Sequence, residues 1–271
     1  MTTAQKVVLV TGASSGIGAA IAARLAKDGH LVFGTGRTPG PPSAEGVAML
    51  ALDVCSNDSV RACVDRLLQK TGRIDVLVNN AGYLLAGAIE EATLDAAKQQ
   101  FDTNFFGVVR MVKAVLPAMR KQQSGRIVTI SSLAGLVPVP FWGFYNASKF
   151  AVEGYCETLR YELQPFGITV AMVEPGAIKT PLYRQPESTP MPEYATWRTR
   201  ALKTMRGFEA KAPGPEVVAD VVSRIVAARN PRLRNRITRE ATIFSLLRWL
   251  LPAGAFEAGT RLGFHLDKEG F

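Results

Sequence analysis

Tyr145 and Lys149 are four residues apart, and Ser132 stands thirteen positions before Tyr145. On a helix, an i, i+4 pair projects from one face, so the phenol and the ammonium can meet the same bound molecule. A free phenol titrates near pH 10 and is a poor base at neutrality. A neighbouring ammonium favours the phenolate and lowers that value. The three residues therefore form a candidate acid/base group, with Ser132 as a nearby hydrogen-bonding hydroxyl.

A second group lies near the N-terminus. The apolar run from Lys6 to Thr11 leads directly into Gly12, Ala13, Ser14, Ser15, Gly16, Ile17 and Gly18. Glycines there permit a tight turn and a close approach of backbone to a pyrophosphate, which the N–H groups at the start of the next helix then face. By itself such a turn can be no more than a strand-to-helix connection. A dinucleotide site selective for NAD usually has an acid at the end of the second strand, where this chain has Gly36 followed by Arg37. A guanidinium fork suits the extra 2′-phosphate of NADP, which a carboxylate would repel.

These groups need a frame that brings distant segments together. Runs rich in Val, Ile and Leu at 6–11, 30–35, 48–52, 74–79, 125–131 and 167–173 read as buried strands. Helix-length segments at 17–28, 57–71, 93–121 and 144–165 lie between them. Repeated βαβ units predict an α/β fold, a doubly wound parallel sheet with helices on both faces. In such a sheet ligands bind beyond the carboxyl ends of the strands, where both groups fall.

The Gly-x-x-x-Gly-x-Gly spacing, with the Ser132, Tyr145 and Lys149 set, resembles the short-chain dehydrogenase/reductase family over roughly residues 6–180. The resemblance implies a single Rossmann-like domain over residues 1–271 that binds a nicotinamide dinucleotide, here NADP(H). It implies that Tyr145 protonates a carbonyl oxygen during reduction while Ser132 hydrogen-bonds to that oxygen. Lys149 is implied to bind the nicotinamide ribose as well as tune Tyr145. Asn104, within the run Phe101–Gly107, matches a fourth catalytic residue that bends a helix and holds a relay water. Asn80, Ala81 and Gly82, after Asn79, match a motif supporting the sheet and the cofactor site. Asp53 and Val54 are implied to flank the adenine. Pro175, Gly176, Ile178 and Thr180 match a turn at the nicotinamide end.

The run Pro140–Lys149 and the long tail are similar to the branch containing 17β-hydroxysteroid, retinoid and acyl-dihydroxyacetone-phosphate reductases. That likeness implies a hydrophobic carbonyl or alcohol substrate. Leu84, Leu85, Val137, Pro138, Val139, Phe141, Trp142 and Phe144 could line its pocket or simply pack in the core. The family resemblance also implies a homodimer or homotetramer. A dinucleotide-sensing regulatory protein with little turnover is the alternative, opposed by the complete set of four catalytic matches.

The Pro-rich segment 181–215 reads as a long substrate loop, either a lid or a structural insertion. Residues 198–271 carry seven of the nine net positive charges, and the run Arg224–Arg239 contains no acid. That run reads mainly as a solvated face; anionic lipid, nucleic acid or an acidic partner are the functional alternatives, with no nucleic-acid partner expected. The extension 240–271 opens with the apolar stretch Ala241–Leu251, expected to cover the substrate site or a subunit interface, with peripheral membrane contact as the other reading. The apolar run close to Met1 leaves no room for a secretory signal. Three cysteines without zinc-type pairing point to free thiols, and a cytoplasmic protein without a metal site is expected.

Overall fold

The computed structural model describes residues 5–38, 40–41, 46–180, 183–184 and 190–267. Seven parallel strands form one sheet: β1 (Val7–Val10), β2 (Leu31–Gly36), β3 (Ala48–Ala51), β4 (Val76–Asn79), β6 (Gly125–Ile130), β7 (Ile168–Pro175) and β9 (Arg234–Ile237). Their order is β3-β2-β1-β4-β6-β7-β9, with the direction of winding reversing between β1 and β4. A small second sheet pairs β5 (Leu84–Leu85) with β8 (Tyr183–Arg184).

Helices α1 (Gly16–Lys27), α2 (Asn57–Thr71), α3 (Leu94–Phe101), α4 (Gly107–Gln122) and α5 (Gly143–Leu163) alternate with the strands. Toward the C-terminus come α6 (Ala195–Ala210), α7 (Glu216–Ala227), α8 (Arg239–Leu250) and α9 (Ala253–Gly263). Strand side chains alternate between two layers. Val7 and Leu9 of β1 join the core under α2, α4 and α5, while Val8 and Val10 join the core under α1 and α7. This is why the strands read as continuous apolar runs: both faces are covered. Each fully buried Leu, such as Leu9, Leu25 or Leu77, contributes roughly 1.5–3 kcal/mol.

All six expected strands are present. The helix expected over 93–121 is also present but carries a π-helical segment at Asp102–Phe106. One strand of the seven-stranded sheet was not legible, nor were the short β5 and β8. Arg234–Ile237, inside the arginine run expected to be mainly solvated, pairs in parallel with Met172–Pro175 of β7. Arg234 bonds with Glu153 and sits 2.9 Å from Glu174 and 3.3 Å from Glu157, while Arg236 lies 3.5 Å from Glu174. Internal counter-ions, distant in sequence, let this charged segment join a sheet edge. The expectation of a loop over 181–215 also changes, since α6 occupies most of its described part; Pro181 and Pro186 lie outside the described residues.

Candidate active site

The turn after β1 is held from the next strand along. Thr11 Oγ1 accepts the backbone N–H groups of Asn80 at 2.9 Å and Ala81 at 3.0 Å, and Asn80 Nδ2 donates to the carbonyls of Thr11 and Gly12, both at 3.0 Å. Gly12 and Gly16 take φ of +65° and +56°, which favour glycine. A side chain on Gly18 would lie 2.2 Å from the Gly12 carbonyl oxygen, so that glycine lets α1 sit against the turn. Ser15 precedes α1 without capping it through its side chain, and the first turn has no acid. The N–H groups there are thus left for a ligand, and the helix dipole favours an anionic one. This arrangement fits the pyrophosphate of a dinucleotide.

Next to it, a cavity of about 840 Å³ runs from Arg37, Asp53 and Val54, past Gly12–Ile17 and Asn80–Gly82, to Ser132, Tyr145, Lys149 and the Pro175–Thr180 turn. It brings together all the sequence-identified site residues except Gly18, which acts through packing, and Asn104, which lies behind the wall. Asn104 is buried in the π segment. Its amide donates to the Tyr83 carbonyl at 2.9 Å, accepts the Tyr83 N–H at 3.0 Å and approaches Ser148 Oγ at 3.2 Å. The π segment lies between α3 and α4 and carries this side chain against the Tyr83 backbone.

Ser132 follows β6 by two residues and caps a short 3-10 turn, its Oγ accepting the Ala134 N–H at 3.1 Å. Tyr145 is buried on α5, where desolvation pushes its phenol up to about 12 and a hydrogen bond with Ser132 draws it partly back. Lys149 donates to the Ile130 carbonyl at 2.9 Å, with Nζ 5.7 Å from the Tyr145 ring centroid. Burial pushes its own value down to about 8, opposed by the charge of Glu153 one turn further along α5. On balance the phenol of Tyr145 stands above its ordinary value, because loss of hydration outweighs the Ser132 hydrogen bond.

The far end is apolar. Leu84, Ala134, Trp142, Tyr145 and Met205 form one cluster, flanked by Ala86, Val139 and Phe264. Trp142 meets the Tyr145 ring edge-on at 5.8 Å. Of the apolar residues weighed as lining, Val139 and Trp142 face the cavity and Leu84 backs the cluster. Met205 and Glu209 of α6 also line it, and burial raises the Glu209 carboxyl. Sequence reading missed both, because a single Met or Glu in a variable segment carries no pattern; their i, i+4 spacing becomes informative only once α6 is known.

Thr238 is also part of the frame. It takes φ of +81° and caps α8 by accepting the Ala241 N–H at 3.3 Å. A side chain on Gly176 would lie 2.5 Å from Thr238 Oγ1, so the β9–α8 junction presses directly on the turn after β7.

Residues 6–190 match the sequence model of the family described as short chain dehydrogenase. The chain is 42% identical over 236 residues to 3-ketodihydrosphingosine reductase of Bacteroides thetaiotaomicron, covering 86% of this chain and 87% of that one. It is 38% identical to retinol dehydrogenase 8 of Bos taurus, covering 96% and 90%, and 37% identical to human 17-beta-hydroxysteroid dehydrogenase type 1, covering 93% and 83%. Among solved structures, a short-chain dehydrogenase from Streptomyces avermitilis superposes with a TM-score of 0.84 at 32% identity, covering 98% of this chain and all of that one. A Burkholderia phymatum relative in complex with NAD gives 0.79 at 26% identity, covering 90% and 93%. ElxO with NADP bound gives 0.74 at 27%, covering 88% and 99%. By sequence, sheet order and cofactor-shaped turn together, this chain belongs to the short-chain dehydrogenase family, a nicotinamide-dinucleotide oxidoreductase acting between carbonyl and alcohol groups.

Proposed function

We propose that this enzyme reduces a ketone or aldehyde on a bulky apolar molecule with NADPH, Tyr145 giving the proton. The observation that carries this reading is the buried Tyr145 phenol, held protonated to about 12 and hydrogen-bonded with Ser132, where the glycine-turn end of the cavity meets its apolar end. The bound dinucleotide supplies the hydride. In this reading Ser132 turns its hydroxyl from Tyr145 to the carbonyl oxygen and polarises it, and Tyr145 transfers its own proton to that oxygen as negative charge develops. Lys149 stabilises the resulting phenolate and would hold the nicotinamide ribose. Asn104 fixes the Tyr83 backbone and the π segment behind them and serves the proton relay.

Preference for NADPH is supported by Gly36 and Arg37, which face the ribose end of the cavity. A Cβ at Gly36 would meet Ser14 Cβ at 3.5 Å, an ordinary contact, so packing alone does not exclude an acid there. An apolar substrate is supported by the Leu84, Val139, Trp142 and Met205 wall, and by relatives named for retinol, hydroxysteroid and ketodihydrosphingosine chemistry. A cytoplasmic location with free thiols belongs to the same reading, supported by unpaired Cys55, Cys63 and Cys156. Assembly as a homodimer or homotetramer is supported by Phe106 before α4 and by Phe150 and Tyr161 of α5, all exposed on the single chain. Light scattering on the purified protein checks that assembly.

The test is a carbonyl and alcohol panel followed by nicotinamide absorbance with both cofactors, on the wild type and Tyr145→Phe. The variant is expected to bind NADPH as before and lose turnover, since one hydroxyl is removed with little change of shape. Unchanged turnover would reject Tyr145 as the proton donor.

A further inference from the structure

Helix α8 has its apolar surface on the wrong side for a helix packed on a core. Its two buried residues are the small Ala241 and Ser245, one turn apart. The opposite face shows Ile243, Leu246, Leu247 and Leu250, spaced i, i+3, i+4, i+7, with Trp249 beside them. Trp249 is 81% exposed, Leu250 57%, Ile243 50% and Leu246 48%. After Pro252, α9 turns back and adds Leu262, 70% exposed. Apolar area on this scale is not left in water without a medium or partner to receive it.

The charge beside the patch selects the medium. Arg224, Arg232 and Arg236 line a cleft of about 630 Å³ that is shared with Thr242 of α8. Arg236 is committed to Glu174, but Arg224, Arg232 and Arg239 are exposed and have no ion pair among the described residues. Arg239 opens α8 on its outward side. A second copy of this chain meeting the patch about a two-fold axis would bring its own basic rim up to this one, so the interface would join two surfaces of the same sign. A layer of anionic headgroups over acyl chains satisfies both the arginines and the leucines.

The length of α8 sets the geometry. Twelve residues of helix span about 18 Å, short of the roughly 30 Å hydrocarbon core, and no helix among the described residues is long and apolar enough to cross a membrane. We propose that the α8–α9 hairpin docks on an anionic lipid surface, lying in its plane with Ile243, Leu246, Trp249 and Leu250 inserted and Arg224, Arg232 and Arg239 on the headgroups. The hairpin begins at Thr238, against the Gly176 turn, and returns at Phe264, against the Tyr145 cluster. A lipid surface held there lies beside the apolar end of the cavity. Ala241–Leu251 was expected to cover the substrate site or a subunit interface. None of the described residues lining the cavity belongs to α8, and Phe264 of the returning chain packs against the Tyr145 cluster. A subunit interface is the alternative that the experiment below separates.

The experiment is co-sedimentation of the full chain with vesicles of phosphatidylglycerol and phosphatidylcholine, and with phosphatidylcholine alone. Trp249 emission is followed, with Trp249→Phe as its control. Binding is expected on the anionic vesicles only, weakening with salt and accompanied by a blue shift that Trp249→Phe abolishes. Leu246→Glu with Leu250→Glu is expected to remove it, and Arg224→Glu with Arg232→Glu to weaken it roughly tenfold or more. NADPH binding, which these exposed positions leave intact, confirms that each variant is folded. Absence of binding to anionic vesicles at low salt overturns the proposal. So does equal binding to both vesicle types, or a dimer that the Leu246 and Leu250 changes split without any vesicle binding. The readout needs no substrate, so it stands or falls separately from the catalytic reading.

Discussion

The Lys149 ammonium stands 5.7 Å from the Tyr145 ring centroid, and burial moves the two groups in opposite directions, the phenol up to about 12 and the ammonium down to about 8. Below about pH 8 the lysine is charged while the tyrosine keeps its proton, which is the state a proton donor in carbonyl reduction requires. As pH rises through about 8, Lys149 is the first of the two to change. Reduction is therefore expected to hold through neutrality and to fall on an alkaline limb near that value. In Lys149→Arg the guanidinium stays charged, so the limb should move upward even though the larger group lowers the maximum rate. The profile of kcat/KM over roughly pH 6–10 for both proteins decides it. A limb unmoved in the arginine variant assigns the titration to another group.

Arg234 carries the second expectation. Glu153 and Glu174 are buried, and loss of hydration together with their mutual repulsion raises the Glu153 carboxyl to about 7 despite Arg234. A carboxyl held above its unfolded value binds more protons folded than unfolded between the two values. Stability from this source is present at mildly acidic pH and declines as pH rises through about 7. Removing the cation exposes the remaining repulsion, so Arg234→Ala should cost about 3 kcal/mol at slightly alkaline pH and less near pH 5. Urea unfolding at both pH values measures the difference, and a cost independent of pH would sink the account.

Most of the frame was legible because it is local. The strands announce themselves as apolar runs, and the turn and the Tyr145–Lys149 pair lie within a few residues, so spacing alone places them. What was not legible depends on partners far apart in the chain. Arg234 reads as one more charge in a basic run until Glu153 and Glu174 are seen beneath it, from positions 81 and 60 residues away. The net direction at Tyr145 depends on burial, which the residue types around it do not state. Met205 enters the site only because α6 folds across it.

Gly36→Asp tests the cofactor end. The space beside Gly36 accepts a side chain at ordinary contact distance from Ser14, and φ at that position does not demand glycine. A carboxylate there would repel the 2′-phosphate of NADPH and accept a hydrogen bond from the ribose 2′-hydroxyl of NADH. The kcat/KM for NADPH is expected to fall by roughly tenfold or more, with a gain for NADH, where each tenfold corresponds to about 1.4 kcal/mol. Steady-state kinetics with both cofactors reads this directly. Parallel loss with both would mean that the turn itself had been damaged.

Thr11 lies outside the reacting group and acts through the backbone on the turn that receives the cofactor. Its hydroxyl oxygen accepts the N–H groups of Asn80 and Ala81 and fastens the strand after which the cavity opens to the glycine turn. Thr11→Val keeps the shape and deletes the acceptor, leaving two part-buried donors without that partner at a cost of roughly 1–2 kcal/mol. Asn80 holds the carbonyls of Thr11 and Gly12, so the strain passes to the turn that receives the dinucleotide. Lower stability and weaker NADPH binding should appear together in Thr11→Val, with Thr11→Ser close to wild type in both, by denaturation and nucleotide fluorescence titration. Because Ser132 and Tyr145 are untouched, kcat at saturating NADPH should change far less than the dissociation constant. A variant that loses kcat while binding normally would show that the Thr11 link reaches the acid/base group rather than the cofactor.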